Sequence, residues 1–122
     1  MQRDQATVLD IIRASELIVE FVRDMERSVF EQDLKTQSAV LHQLMVMGEA
    51  VKRLSSETRD CHPEIPWTLI AGMRDRLIHG YDAVDRNEVW KTATVDVPDL
   101  LSLLRPWAPQ RPRSARDTEL SS

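Results

Sequence analysis

Residues 34–54 read LKTQSAVLHQLMVMGEAVKRL. Val40, Leu44, Met47, Val51 and Leu54 recur there at spacings of four and three. That is the period of a helix face, and an alternating strand would need a period of two. Leu41, Met45 and Gly48 widen the stripe beyond what one partner helix requires. Two readings follow: a central core helix with neighbours on two sides, or a core helix with part of its face in a dimer seam. Gly48 costs about 1 kcal/mol relative to Ala in a helix interior. Close backbone approach to another helix would offset that cost.

The rest of the chain follows the same period. Val8, Ile11, Ile12, Ser15, Ile18, Val22 and Met25 predict a first helix over 5–27, with Asp4 as its N-cap. A break begins at Phe30, and Asp33 is placed to cap the second helix over 34–54. SSETRDCHPEIPW, residues 55–67, is expected to be a loop bounded by Pro63 and Pro66. A third helix runs from Trp67 to about Gly80. After the turn YDAVDRNE, Asp85 or Asn87 is expected to cap a fourth helix beginning near Glu88. Pro98 should kink or split it. The sum is an all-α, up-and-down bundle of four to five helices over residues 1–107. Residues 108–122, rich in Pro, Ser and Arg and without period, are expected to form a disordered tail. Three glycines and 5% aromatics argue against an all-β fold.

At 122 residues the chain has the length of one domain. A net charge of −4 means that any polyanion must be met by a local basic patch. Cys61 is the only cysteine, which excludes an intrachain disulfide and fits a reducing compartment. No stretch approaches the ~20 apolar residues that span a bilayer, and the first ten residues lack a signal-peptide core. No membrane association is expected, and a cytoplasmic location is.

MRDRLIHGYD, residues 73–82, concentrates polar chemistry at a helix end. On a wheel of about 100° per residue, Arg74 falls inside the apolar sector of Trp67, Ile70, Leu77 and Tyr81. A guanidinium there needs a carboxylate, a carbonyl or a bound anion. Glu49 on the second helix is a candidate partner. His79 lies roughly 140° further round, so Arg74 and His79 diverge within one helix. Asp75 shares a face with His79 and can pair with it at the helix end. His42, His62 and His79 are scattered and have no paired acids at metal-ligand spacing.

Arg74, His79 and Tyr81 together spell R-x4-H-x-Y. This motif resembles that of the HepT-like ribonuclease toxins of the HEPN superfamily. GEAVKRLS at 48–55, IPWTLIAGMRDRLIHGYDAVD at 65–85 and VW at 89–90 resemble the same family in the same order, and the similarity spans roughly residues 4–107. The position after the motif Arg is often Asn in that family and is Asp75 here. The resemblance implies a dimeric helical bundle that cleaves RNA without a metal or other cofactor. Arg74, Asp75 and His79 would be catalytic, and the substrate would be a tRNA or an mRNA. The RNA 2′-OH would supply the nucleophile, His79 would move the proton, and Arg74 would hold the phosphate. The expected products are a 2′,3′-cyclic phosphate and a 5′-OH fragment. In a homodimer, a two-fold axis could bring the diverging Arg74 and His79 of two chains into one cleft. Lys52, Arg53 and Arg76 could add RNA contacts. The partner implied is a minimal (MNT-type) nucleotidyltransferase antitoxin that transfers AMP to Tyr81. The alternative is a non-catalytic HEPN module that binds nucleotides or serves as partner to such a transferase.

Overall fold

The structure, a computed structural model, describes residues 2–79 and 86–107, with side chains at 4–75 and 86–106. The order of helices is α1 (Gln2–Phe21), α2 (Arg27–Gln32), α3 (Leu34–Arg53), α4 (Ser56–Cys61), α5 (Trp67–His79), α6 (Arg86–Lys91) and α7 (Val97–Leu104). A π-helical segment, Thr92–Asp96, joins α6 to α7, and a short 3₁₀ turn, Arg105–Trp107, follows. Among the described residues there is no strand, so the chain is all-α as its periodicity requires. No described helix is long and apolar enough to cross a membrane.

α3 is the centre of the bundle. Asp33 caps it as expected, accepting from the Thr36 amide at 3.1 Å and the Thr36 hydroxyl at 2.6 Å. These bonds hold the Asp33 carboxyl below its ordinary range, the hydroxyl contributing most. Val40, Leu44, Met47, Ala50 and Val51 of α3 are buried. The helix packs against α1 on one side and α5 on the other, while α1 also meets α7. Two helices of the same chain thus account for the breadth of the α3 stripe.

The first helix is shorter than its apolar period predicts. α1 stops at Phe21, and Asp24 takes a left-handed φ of 57°, a conformation that Asp tolerates better than most side chains. Val22 is still buried, because the turn folds back over the core and prolongs the apolar rhythm without prolonging the helix. The expected break at Phe30 is instead inside α2, where Phe30 is fully buried with its ring centroid 5.1 Å from that of Trp90. Gln37 closes this corner by donating to the Phe30 and Glu31 carbonyls at 2.8 and 3.2 Å.

The expected 55–67 loop contains α4. Ser55 caps it, its hydroxyl accepting from the Thr58 amide at 3.2 Å. Asp4 is not an N-cap of its own helix. It lies inside α1, buried, and accepts from the Ser55 amide (3.2 Å), the Ser55 hydroxyl (2.7 Å) and the Thr58 hydroxyl (2.6 Å). The carboxylate thereby ties α1 to the start of α4. Its carboxyl sits below the ordinary value, chiefly because of the Thr58 hydroxyl and then that of Ser55.

The last expected helix begins at Arg86, which puts Asn87 inside it and not at its cap; Asp85 lies outside the described residues. Pro98 divides the helix as expected. It occupies the first turn of α7, where its missing N–H is no loss. The preceding turn widens so that the Val97 amide reaches the Thr92 carbonyl, and the Thr94 hydroxyl donates to the Trp90 carbonyl at 2.7 Å.

Candidate functional site where α5 crosses α3

Gly48 sets the crossing. A Cβ there would overlap the Cβ of Arg74, and it would lie 2.9 Å from Arg74 Cγ and 3.1 Å from the Ile70 carbonyl oxygen. The close approach anticipated for Gly48 is therefore to α5 of the same chain, and the stem of Arg74 fills the space a larger residue would need. This explains how a cation can stand on an apolar stripe. The stem packs against α3 backbone while the guanidinium reaches the edge of the interface. The Arg74 side chain is only 24% exposed.

Four charged side chains meet at that edge. Arg74 Nη1 donates to Asp75 Oδ1 at 3.3 Å, and Nη2 stands 3.9 Å from Glu49 Oε1. Lys52 of α3 also donates to Asp75 Oδ1. The Lys52 bond first, and the Arg74 bond after it, hold the Asp75 carboxyl below its ordinary range, so it is ionised at neutral pH. Arg74 Nε is buried and has no hydrogen-bond partner among the described residues. Its two carboxylate contacts are long beside the ~2.7–2.9 Å of a strong charge-assisted bond. Glu49, the acid offered by the sequence, is an ion-pair partner of Arg74, at 3.9 Å and from an exposed side chain. A guanidinium held on a rigid stem, with long carboxylate contacts at its terminal nitrogens, is suited to donate to phosphate oxygens in their place.

The other expected residues divide. Lys52 joins the cluster. Arg53 turns the other way, toward α1, where it stands 3.8 Å from Asp10. The side chains of Arg76 and His79, and the whole of Gly80 and Tyr81, lie outside the described residues. The backbone of α5 runs unbroken to His79, so the positions of Arg74 and His79 keep their wide angular separation on one helix. What sequence reading missed is the Lys52–Asp75 pair. The two residues are 23 positions apart, and no local pattern links them. Among the described residues no group of three His, Cys, Asp or Glu could hold a metal ion.

Comparison with known proteins bears on this site. Residues 11–106 match the HepT-like family, described as ribonuclease HepT-like. The chain is 47% identical over 91 residues to a Thermococcus cleftensis protein named "Probable ribonuclease HepT", covering 75% of this chain and 83% of that one. It is 38% identical over 96 residues to the Methanocaldococcus jannaschii protein named "Putative RNase MJ0125", covering 79% of this chain and 83% of its relative. A Caldanaerobacter subterraneus protein named "Putative RNase TTE0752" is 38% identical over 90 residues, which cover 74% of this chain and 80% of that one. No solved structure matches. With the matched span enclosing both α3 and α5, and hence the whole Gly48–Arg74 crossing, the chain belongs to the HepT-like ribonuclease family.

Proposed function

We propose that the protein is a metal-independent endoribonuclease, the toxin of a toxin–antitoxin pair acting in the cytoplasm. The observation that carries this reading is Arg74: a guanidinium fixed by Gly48 at a helix crossing, whose terminal nitrogens make only long contacts to acids. Arg74 holds the scissile phosphate and stabilises the charge that builds on phosphorus. The 2′-OH attacks phosphorus and the bond to O5′ breaks. His79 moves the proton between these oxygens. Asp75, held ionised by Lys52, positions Arg74 and gives way to phosphate. Lys52 and Arg76 add contacts to the strand.

The active form is a homodimer. The outward face of α5 supports this. Among the described residues, nothing lies within 4 Å of where a Cβ on Gly72 would stand. His79 is seven positions beyond Gly72 and so shares its helix face. Packing of two copies across this face brings the two His79 positions toward one axis. Tyr81, the only tyrosine, is the acceptor of AMP from a minimal nucleotidyltransferase antitoxin. The added phosphates occupy Arg74 and repel the RNA backbone.

The deciding experiment is incubation with total RNA in EDTA, beside His79→Ala. Wild type is expected to cleave and leave 2′,3′-cyclic phosphate ends, and the variant to lose on the order of 100-fold in rate. Equal cleavage by His79→Ala would exclude the mechanism. With the transferase, ATP and Mg²⁺, intact mass should rise by whole AMP units and cleavage should stop. A Tyr81→Phe protein that gains the same mass would place the modification elsewhere.

A further inference from the structure

A second guanidinium stands apart from the α3–α5 crossing. Arg59, near the end of α4, is half-buried. Its Nε is buried and has no hydrogen-bond partner among the described residues. Arg23, Arg27, Arg53, Arg74 and Arg105 each have a carboxylate oxygen within 4 Å. Arg59 has none among the described residues and, unlike Arg13 and Arg86, which also have none, it is not exposed. A partly desolvated cation without an acid is an expensive thing to build into structure alone. It faces an open groove of about 690 Å³, lined also by Ser56, Asp60, Pro66, Thr68 and Leu69. That is room for a nucleotide unit.

The groove is rigidly tied to the site. Trp67, the first residue of α5, donates its indole N–H to the Arg59 carbonyl at 3.1 Å and to the His62 carbonyl at 3.0 Å. The end of α4 is thus locked to the start of α5. Thr68 lines the groove, and Arg74 is six positions further along α5, about 9 Å of axial rise.

We propose that Arg59 is a second phosphate anchor for the RNA strand, apart from the phosphate held by Arg74. The assignment rests on the ribonuclease reading. Asp60 lines the same groove, so the attraction is not a diffuse basic field. It comes from directed N–H donors on one side chain, opposed by one neighbouring acid. Arg59 is a positioning residue: it fixes where a longer strand lies and takes no part in bond breaking.

The test uses a 2′-deoxy octanucleotide, which lacks the attacking hydroxyl and is not cleaved, and a 2′-deoxy dinucleotide too short to span both cations. Binding is read by fluorescence anisotropy across a salt series. Arg59→Ala should weaken octanucleotide binding about tenfold and leave the dinucleotide unchanged. The slope of log K against log salt should become shallower by about 0.7, one phosphate contact on a single strand. Arg59→Lys should recover the slope and part of the affinity, and Asp60→Asn should tighten the octanucleotide. On cleavable RNA the loss should read in KM and not in kcat. Should Arg59→Ala lose helicity, Arg59→Met keeps the packing of the stem and carries the same expectations. Unchanged octanucleotide affinity and slope, or equal weakening for both lengths, would overturn the anchor while leaving RNA cleavage standing. A wild-type protein that neither cleaves RNA nor binds the octanucleotide would overturn both.

Discussion

Two junctions hold long helices of this bundle in place, and they treat a partly buried charge in opposite ways. At the first, Asp4 of α1 meets Ser55 and Thr58 around the start of α4. The carboxylate receives three hydrogen bonds from neutral donors, two of them short, from the Ser55 and Thr58 hydroxyls. At the second, Arg74 of α5 crosses α3 at Gly48. Its contacts are long, its Nε is unfilled, and two acids and a lysine share the space. A buried charge with satisfied bonds stabilises a fold. One whose terminal nitrogens make only long contacts is less fully satisfied. On the proposed function, the second junction is where phosphate takes the place of the acids.

The contrast can be broken most sharply at Arg74. Arg74→Ala should reduce RNA cleavage by ~100-fold or more, the scale of losing a charge-stabilising donor. The Cβ that packs on Gly48 remains, so thermal stability should be unchanged or slightly higher. A large loss of Tm together with activity would show that Arg74 is structural after all.

Gly48→Ala probes the same junction from the other helix. Ala is the better helix former by ~1 kcal/mol, but its Cβ would meet the Cβ of Arg74, which is anchored to backbone and cannot swing aside. Forcing two helices apart costs ~1–3 kcal/mol, so the clash should win. Denaturant melts should show net destabilisation, and cleavage should fall as well because Arg74 shifts. A more stable Gly48→Ala protein would mean that α3 and α5 are free to separate.

At the satisfied junction, Ser55→Ala removes a helix cap and an Asp4 donor together. It should cost ~1–2 kcal/mol in urea unfolding while cleavage per folded molecule stays at the wild-type level. Loss of activity without loss of stability would reverse the assignment of the two junctions.

The smallest effect is the acid limb. The Asp4 carboxyl titrates below its ordinary 3.8 in the folded chain. The unfolded chain therefore binds more protons as pH falls, and the Asp4 contribution is complete above about pH 5 and lost through its folded value. Wild-type Tm should be flat near neutrality and decline below about pH 4. Asp4→Asn should start lower and decline less steeply. Asp75→Asn, at a half-exposed and screened pair, should leave the acid limb nearly as in wild type. Equal flattening by both variants would erase the distinction between the junctions.

Much of this was legible before any coordinates. The 4-3-4-3 rhythm from Val40 to Leu54 reports a core helix, because side-chain direction repeats with the helix turn. Asp33 as a cap, Pro98 as a divider and Trp67 as a helix start follow from local hydrogen-bonding limits on those residues. The errors have a common physical origin. Met25 and Val22 keep the period of α1 although the backbone has turned at Asp24, since burial marks which side chains face the core and not which backbone bonds continue. α4 escaped notice because two prolines overshadowed a good serine cap.

For the candidate site, local sequence placed Arg74 among apolar neighbours and Asp75 beside it, and the R-x4-H-x-Y spacing carried the resemblance to a ribonuclease family. It also required that something compensate a glycine in mid-helix. Only the tertiary structure decided that this something is the stem of Arg74, that Lys52 takes Asp75, and that Arg53 leaves the cluster for Asp10. The physical reason is range. Periodicity and capping are set by neighbours within a turn or two of helix, whereas the partner of a charge is whatever the crossing of two helices brings within ~4 Å.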